Sequence, residues 1–309
     1  MRLVIRFLKV MDNLTSFIEN LINDADPSSL RVRDCRGKVS KRGMTVERYF
    51  IDFEAATRND KGKKRQKKIN KHFRYRSKPG SNHPPDAISN WGVEYKKLEN
   101  FGDINYNSST PAQVLDSNNE KYNKEAKVAA EECEKSLGYI PPFFHCIANL
   151  KEKKVTHAFF VDGKCICHDS NNVLKRAMEL GLKILIEQGD EEAKNCTTDT
   201  NEIAVWEDKH GNKERARQMR SIPHFLKSLL HKWPSESENE NDYKFIFLIT
   251  KENYLRISNE NREKINYLCS SELPHESKLK INSIEIENKK EKLNCTIIEY
   301  TRKIKKGIA

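Results

Sequence analysis

Near the start of the chain, apolar residues recur twice at helical spacing. In 13–24 (NLTSFIENLIND), Leu14, Phe17, Ile18, Leu21 and Ile22 share one helix face, and DPSS ends the pattern. From Met44 to about Thr57, Thr45 supplies a cap while Val46, Tyr49, Phe50 and Phe53 form a second face. The pattern then lapses. RNDKGKKRQKKINKHFRYRSK (58–78) has few apolar positions apart from Phe73 and Tyr75 and reads as a loop, ending in the strong break KPGSNHPP.

Alternation takes over downstream. AIS and VEYKKL flank Asn90-Trp91-Gly92 as the two arms of a hairpin. SSTPAQVL predicts a cap followed by Pro111 at a first helical position, and 120–137 predicts a longer amphipathic helix. FFHCIANL, THAFFV and KCICH predict consecutive strands with turns at LKEKK and DG, extending the hairpin into a sheet. Further elements are a helix over 170–188 from Ser170 to near Gly189, a strand at 203–206 and a helix opening at Ser221-Ile222-Pro223. PSESENEND is an acidic linker, YKFIFLIT a strand and KLNCTIIEY the terminal strand. Helices first, then a mixed sheet with helices, point to an α/β or α+β fold, and α/β is the class expected. The expected division is a domain over 1–232 that includes the basic segment 58–78, an acidic linker at 233–242, and a strand and helix region at 243–309 that can complete the same domain.

Composition narrows the class. A chain of 309 residues can bury a sizeable core without staples. No apolar stretch approaches membrane-spanning length, and the expected location is the cytoplasm, where the eight cysteines would be reduced thiols. Net charge is +11, and residues 58–78 hold eleven Lys or Arg against one Asp, so nearly the whole excess is one patch. Such a patch favours a polyanionic partner.

The hairpin beside that patch holds the candidate chemistry. Along its second strand Glu94 and Lys96 share a face, with Val93 and Tyr95 on the other, so the apolar pair can face the core and leave the charged pair at the rim. The turn folds Asp86 back toward Glu94. Two carboxylates in one small volume repel unless a proton or a cation lies between them. A hard divalent ion such as Mg²⁺ suits them and would activate a water and stabilise charge on a phosphate, with Lys96 one pleat away. Taken alone the pattern is weak, because a charged strand face is most often simply solvated.

The string PPDAISNWGVEYKKLE followed by INYNSSTPAQVL resembles the core of PD-(D/E)xK type II restriction endonucleases, in particular the NgoPII-like family. RARQMRSIPHF and GMTVERYFIDFEAA are similar to further stretches of it. The resemblance implies a restriction-endonuclease-like mixed central sheet flanked by helices. It also implies a homodimeric, Mg²⁺-dependent enzyme that cuts both strands of double-stranded DNA at a short palindromic site, with a DNA methyltransferase as functional partner. Asp86 and Glu94 match the metal-binding acids and Lys96 the catalytic lysine, and Glu47 is a further candidate ligand. A non-catalytic, repressor-like DNA-binding protein and a structure-specific nuclease with the same core are the alternatives.

Candidate DNA contacts are Lys63, Lys64, Arg65, Lys67 and Lys68 in the basic run and Arg215, Arg217 and Arg220, and the resemblance adds Asn107, Ser108 and Ser109 after the hairpin. For each, the competing reading is a solvated or capping role. Phe73 and Tyr75 either stack on bases or anchor their segment. His145, Cys146, His157, Cys165, Cys167 and His168 raise the question of zinc, but Cys165-x-Cys167 lacks ligand spacing and reads as two core thiols on one strand face.

Overall fold

A computed structural model describes residues 11–30, 40–78, 84–98, 112–119, 121–151, 154–166, 180–181, 183–191, 193–195, 242–288 and 291–303. Two N-terminal helices lead into a single sheet. Helix α1 (Asp12–Ile22) buries Leu14, Phe17, Ile18, Leu21 and Ile22, the face that its spacing predicts. Helix α2 (Ser40–Glu54) buries Val46, Tyr49, Phe50 and Phe53. Helix α3 (Gly62–His72) occupies the basic run expected to be a loop. Ile69 is its one buried apolar residue, so no apolar stripe marked it. Lys, Arg and Gln nevertheless have good helix propensity, and acidic partners fix the helix to its surroundings, as described below.

The sheet has eight strands in the order β1-β2-β3-β4-β5-β6-β8-β7. These are β1 (Tyr75–Arg76), β2 (Ala87–Ile88), β3 (Gly92–Leu98), β4 (Phe143–Lys151), β5 (Lys154–Asp162), β6 (Asp242–Thr250), β7 (Lys278–Asn288) and β8 (Glu291–Lys303). β3 pairs parallel with β4 and β5 parallel with β6, while the other pairs are antiparallel. The sheet is therefore mixed, and flanking helices make the fold α/β.

Alternation along the strands divides the core in two. One face takes Val93, Tyr95, Cys146, Phe160, Phe245 and Phe247 and packs against α1 and α2. Phe17 stands at its centre, 5.5–5.9 Å from Phe53, Phe160, Phe245 and Phe247. Full burial of such a ring contributes about 1.5–3 kcal/mol. The opposite face takes Ile147, Phe159, Val161, Ile246, Leu248 and Ile297, and Glu94 is on this side.

Helix α4 (Lys124–Leu137) begins where Asn123 Oδ1 accepts from Ala126 N and ends at left-handed Gly138. Residues 112–115 are not the helix expected after Pro111. Val114 bridges Pro142 and Leu115 N donates to Pro141 O, which lays the segment beside β4. KCICH is not a strand either. Gly163–Ile166 form a short helix α5, where Asp162 Oδ1 accepts from Lys164 N. A Cβ at Gly163 would fall 2.3 Å from Ala112 O, so the close approach needs glycine. Helices α6 (Lys251–Leu255) and α7 (Asn259–Ser270) and strand β7 fall in the region expected to mix strand and helix, where their individual spans were not foreseen. Of the helix expected over 170–188, residues 180–181 and 183–187 are described and helical. The elements expected at 203–206 and 221–232 lie outside the described residues.

Candidate active site

β2 and β3 form the expected hairpin, with Ala87 opposite Val93 and Ile88 opposite Gly92. Asp86 N donates to Val93 O at 2.9 Å and Ser89 N to Trp91 O at 3.0 Å. Trp91 is fully buried, edge-on to Phe144 and Phe160, and this fixes the turn to the core. Beyond the turn, Val93 and Tyr95 face α2, where Tyr95 stacks on Phe50 at 5.8 Å. Glu94 and Lys96 face the other way.

The sequence placed that charged pair at a rim, and for Glu94 the structure corrects this. β3 is an interior strand, with β4 along its other side and His145 in register with Glu94, so the carboxylate is only 6% exposed. Lys96 Nζ donates to Glu94 Oε1 at 2.6 Å. Tyr95 N donates to Asp86 Oδ2 at 2.8 Å, which draws the acid just before β2 across to β3. Burial, and next the charge of Glu94, push the Asp86 carboxyl up to about 8. Glu47 is half-buried on α2 and also raised, by burial first and by Glu94 last, against the pull of Arg76 and Arg48. Asp86, Glu94 and Lys96 thus meet at one place, with Glu47 within electrostatic range. Among the described residues, no three His, Cys, Asp or Glu side chains form a ready-made metal cage.

His145 forms the wall beside Glu94. A carbonyl can only accept, so the 3.1 Å contact with Ala112 O makes Nε2 the protonated nitrogen, and burial depresses its pKa to about 4. His145 is therefore a neutral imidazole that holds residues 112–115 in place. Cys146 is buried on the opposite face, and Cys165 lies in α5 with its Sγ 3.5 Å from that of Cys295. The expectation of one strand face for Cys165 and Cys167 fails for Cys165, and Cys167 and His168 lie outside the described residues.

The basic run divides by partner. Arg58 is buried, with Nε 2.6 Å from Asp24 Oδ2 and further donors to Ser29 O and Asp26 O. Lys64 and Lys68 both reach Asp60, at 2.7 and 2.6 Å, and hold its carboxyl below the usual range. Arg65 reaches Asp52 at 2.8 Å. Lys63 and Lys67, one turn apart, are exposed and make no ion pair among the described residues. Phe73 and Tyr75 are buried, and Tyr75 Oη accepts from Asn123 Nδ2, so both are anchors rather than stacking platforms. Asn107, Ser108, Ser109, Arg215, Arg217 and Arg220 lie outside the described residues.

The sequence reading missed one cluster. Glu54 Oε1 accepts from Ser89 Oγ at 2.6 Å and from His72 Nε2 at 3.2 Å. Its one sequence trace was the seven-residue spacing from Glu47, which puts both acids on one side of α2.

A mixed sheet flanked by helices, with two acids and a lysine gathered on an inner hairpin, defines a restriction-endonuclease-like α/β protein. The chain belongs to the NgoPII restriction endonuclease family, whose model matches residues 12–287. No curated protein and no solved structure matches it.

Proposed function

We propose that this member of a restriction endonuclease family is a Mg²⁺-dependent enzyme that hydrolyses both strands of DNA at a short palindromic site. It works in the cytoplasm as a homodimer, and a DNA methyltransferase protects the host's copies of that site. The observation that supports this reading most is the gathering of Asp86, Glu94 and Lys96 at the β2–β3 hairpin. Asp86 and Glu94 would hold the ion, with Glu47 as an auxiliary acid. The donor set fits, because Mg²⁺ uses one or two carboxylates plus waters and phosphate oxygens and needs no all-protein cage. Burial first, and then the nearby charge of Glu94, raise the Asp86 carboxyl to about 8, and a cation between the two acids would offset both.

When bound, Mg²⁺ supplies charge stabilisation at the phosphate and an acidified water. Lys96, held by Glu94, presents an ammonium to the attacking water or a phosphate oxygen. The buried walls, His145 on one side and Tyr95 behind, keep these charges in a low-dielectric setting where each counts for more than in water. Lys63 and Lys67 on α3 contact phosphates flanking the cut, with Lys64, Arg65 and Lys68 behind them and the 107–109 and 215–220 contacts completing the grip.

The test is cleavage of long unmethylated DNA. With Mg²⁺ the protein should give discrete bands whose sequenced ends share one palindrome, and EDTA should abolish them. Glu94→Ala and Lys96→Ala should each slow cutting by about 10²–10³-fold or more while duplex binding persists. Variants that cut normally would remove these residues from the site. Tight binding without any cutting would favour the repressor-like alternative.

A further inference from the structure

Ser89, the first residue of the hairpin turn, is three positions after Asp86 and five before Glu94. Groups from several elements converge on it. Its hydroxyl donates to Glu54 Oε1 of α2 at 2.6 Å, and its carbonyl accepts from Arg74 Nε at 3.3 Å and from Cys133 Sγ of α4 at 3.7 Å. Glu54 and Ser89 are 4% and 2% exposed. The same Glu54 oxygen accepts from His72 Nε2, the last residue of the basic helix, at 3.2 Å. Arg74, two residues further on, also donates its backbone N–H to Ile88 O at 2.8 Å. One buried carboxylate therefore joins the end of α3 to the turn whose two arms carry the acids.

We propose that Glu54 is a positioning residue for cleavage: it locks the turn of the β2–β3 hairpin to the C-terminal end of α3, so that duplex held on α3 and the Asp86–Glu94 pair share one rigid frame. This rests on the nuclease reading above. Glu54 need not touch DNA or metal. It acts through Ser89 on the spacing of the two hairpin arms, and through His72 on where the DNA-bearing helix ends. Buried, hydrogen-bonded anchors of this kind hold reacting groups to fractions of an ångström.

The experiment uses the full chain with Glu54→Ala and Glu54→Gln. Gln keeps a carbonyl oxygen for Ser89 and His72, whereas Ala removes it. Glu54→Ala is expected to slow single-turnover cleavage by about 10- to 100-fold and change duplex Kd by less than about threefold, with Gln recovering most of the rate. Hydrogen exchange supplies a readout independent of cutting. The Tyr95 amide bonded to Asp86 should exchange faster in Glu54→Ala, and duplex binding should slow hairpin exchange in the wild type and in Glu54→Gln but not in Glu54→Ala. The proposal is overturned if the Ala variant cuts at the wild-type rate, if rate and Kd worsen together with no rescue by Gln, or if duplex protects the hairpin equally in all three proteins. Should the wild type bind duplex and never cut, the nuclease reading fails, and the exchange measurement still decides the coupling.

Discussion

The basic helix α3 and the β2–β3 hairpin both carry charge and treat it in opposite ways. On α3 the lysines stand in water: Lys64 is 74% and Lys68 47% exposed even while paired with Asp60. Solvent screens each of them, and any one can be replaced by a neighbour. In the hairpin, Glu94 and Lys96 pair with side chains 8% and 20% exposed, and Asp86 holds its proton up to about 8. Screening is weak there, and the charge of Glu94 adds to burial in raising Asp86. A cationic surface is made by number, whereas a buried group of interacting charges is made by placement.

Arg58 offers the sharpest break in that comparison, because it opens the basic stretch and yet behaves like a hairpin charge. Its guanidinium is 6% exposed, bonded to Asp24 and two carbonyls, and lies 4.7 Å from the Phe53 ring. Arg58→Ala leaves Asp24 buried without that partner and should cost about 3–5 kcal/mol of unfolding free energy. Lys64→Ala, six residues on, should leave the melting temperature unchanged. Thermal melts of both variants check the contrast. Equal melting temperatures would mean that burial does not separate the two kinds of charge.

A smaller effect should come from Asp86→Asn. The folded-state pKa of Asp86 is raised from 3.8 to about 8, so the folded protein binds a proton that the unfolded chain releases. The stability linked to that proton is complete below about pH 4 and is lost as pH rises toward about 8. Asn keeps an acceptor for Tyr95 N and removes the charge. Metal-free Asp86→Asn should therefore melt higher than the wild type at pH 8, with the two converging at pH 4. Melting curves across that range in EDTA measure the difference, and an Asn variant less stable at pH 8 would contradict the burial of charge in the hairpin.

What the sequence revealed follows the same division between pattern and placement. The faces of α1 and α2 were legible because each buries one apolar stripe, the hairpin because its turn residues separate two alternating arms, and β4, β5, β6 and β8 because they bury both faces and so read as nearly continuous apolar runs. β7 was not, because Leu279 and Ile281 pack on one side of the sheet while Ile284 and Ile286 pack on the other, so its alternation changes phase midway. α3 was missed because Ile69 is its only buried apolar residue. At the site, turn and alternation anticipated that Asp86, Glu94 and Lys96 would lie near one another, whereas their roles were given by the resemblance and not by the pattern. The burial of Glu94 was not, since nothing local in VEYKKL tells that β4 lies beside it in parallel. Glu54, Ser89 and His72 come from three elements, and no short motif could announce their meeting.

The smallest expected effect tests the other half of the comparison, the claim that α3 works by number. Lys63 and Lys67 project from one side of the helix, while Lys64 and Lys68 turn to Asp60 and Arg65 to Asp52. Each cation that neutralises a phosphate releases condensed counterions and adds about 0.9 to the slope of log K against log salt. Lys63→Gln with Lys67→Gln should then flatten that slope by about 1.8 and weaken binding equally on specific and unrelated duplexes. Cleavage under saturating DNA should not change, since no catalytic group has moved. Lys64→Gln with Lys68→Gln should flatten the slope less, because both lysines also face Asp60. Binding isotherms for the two pairs at several salt concentrations separate them, and equal slopes would mean that the acid partners do not set which lysines meet DNA.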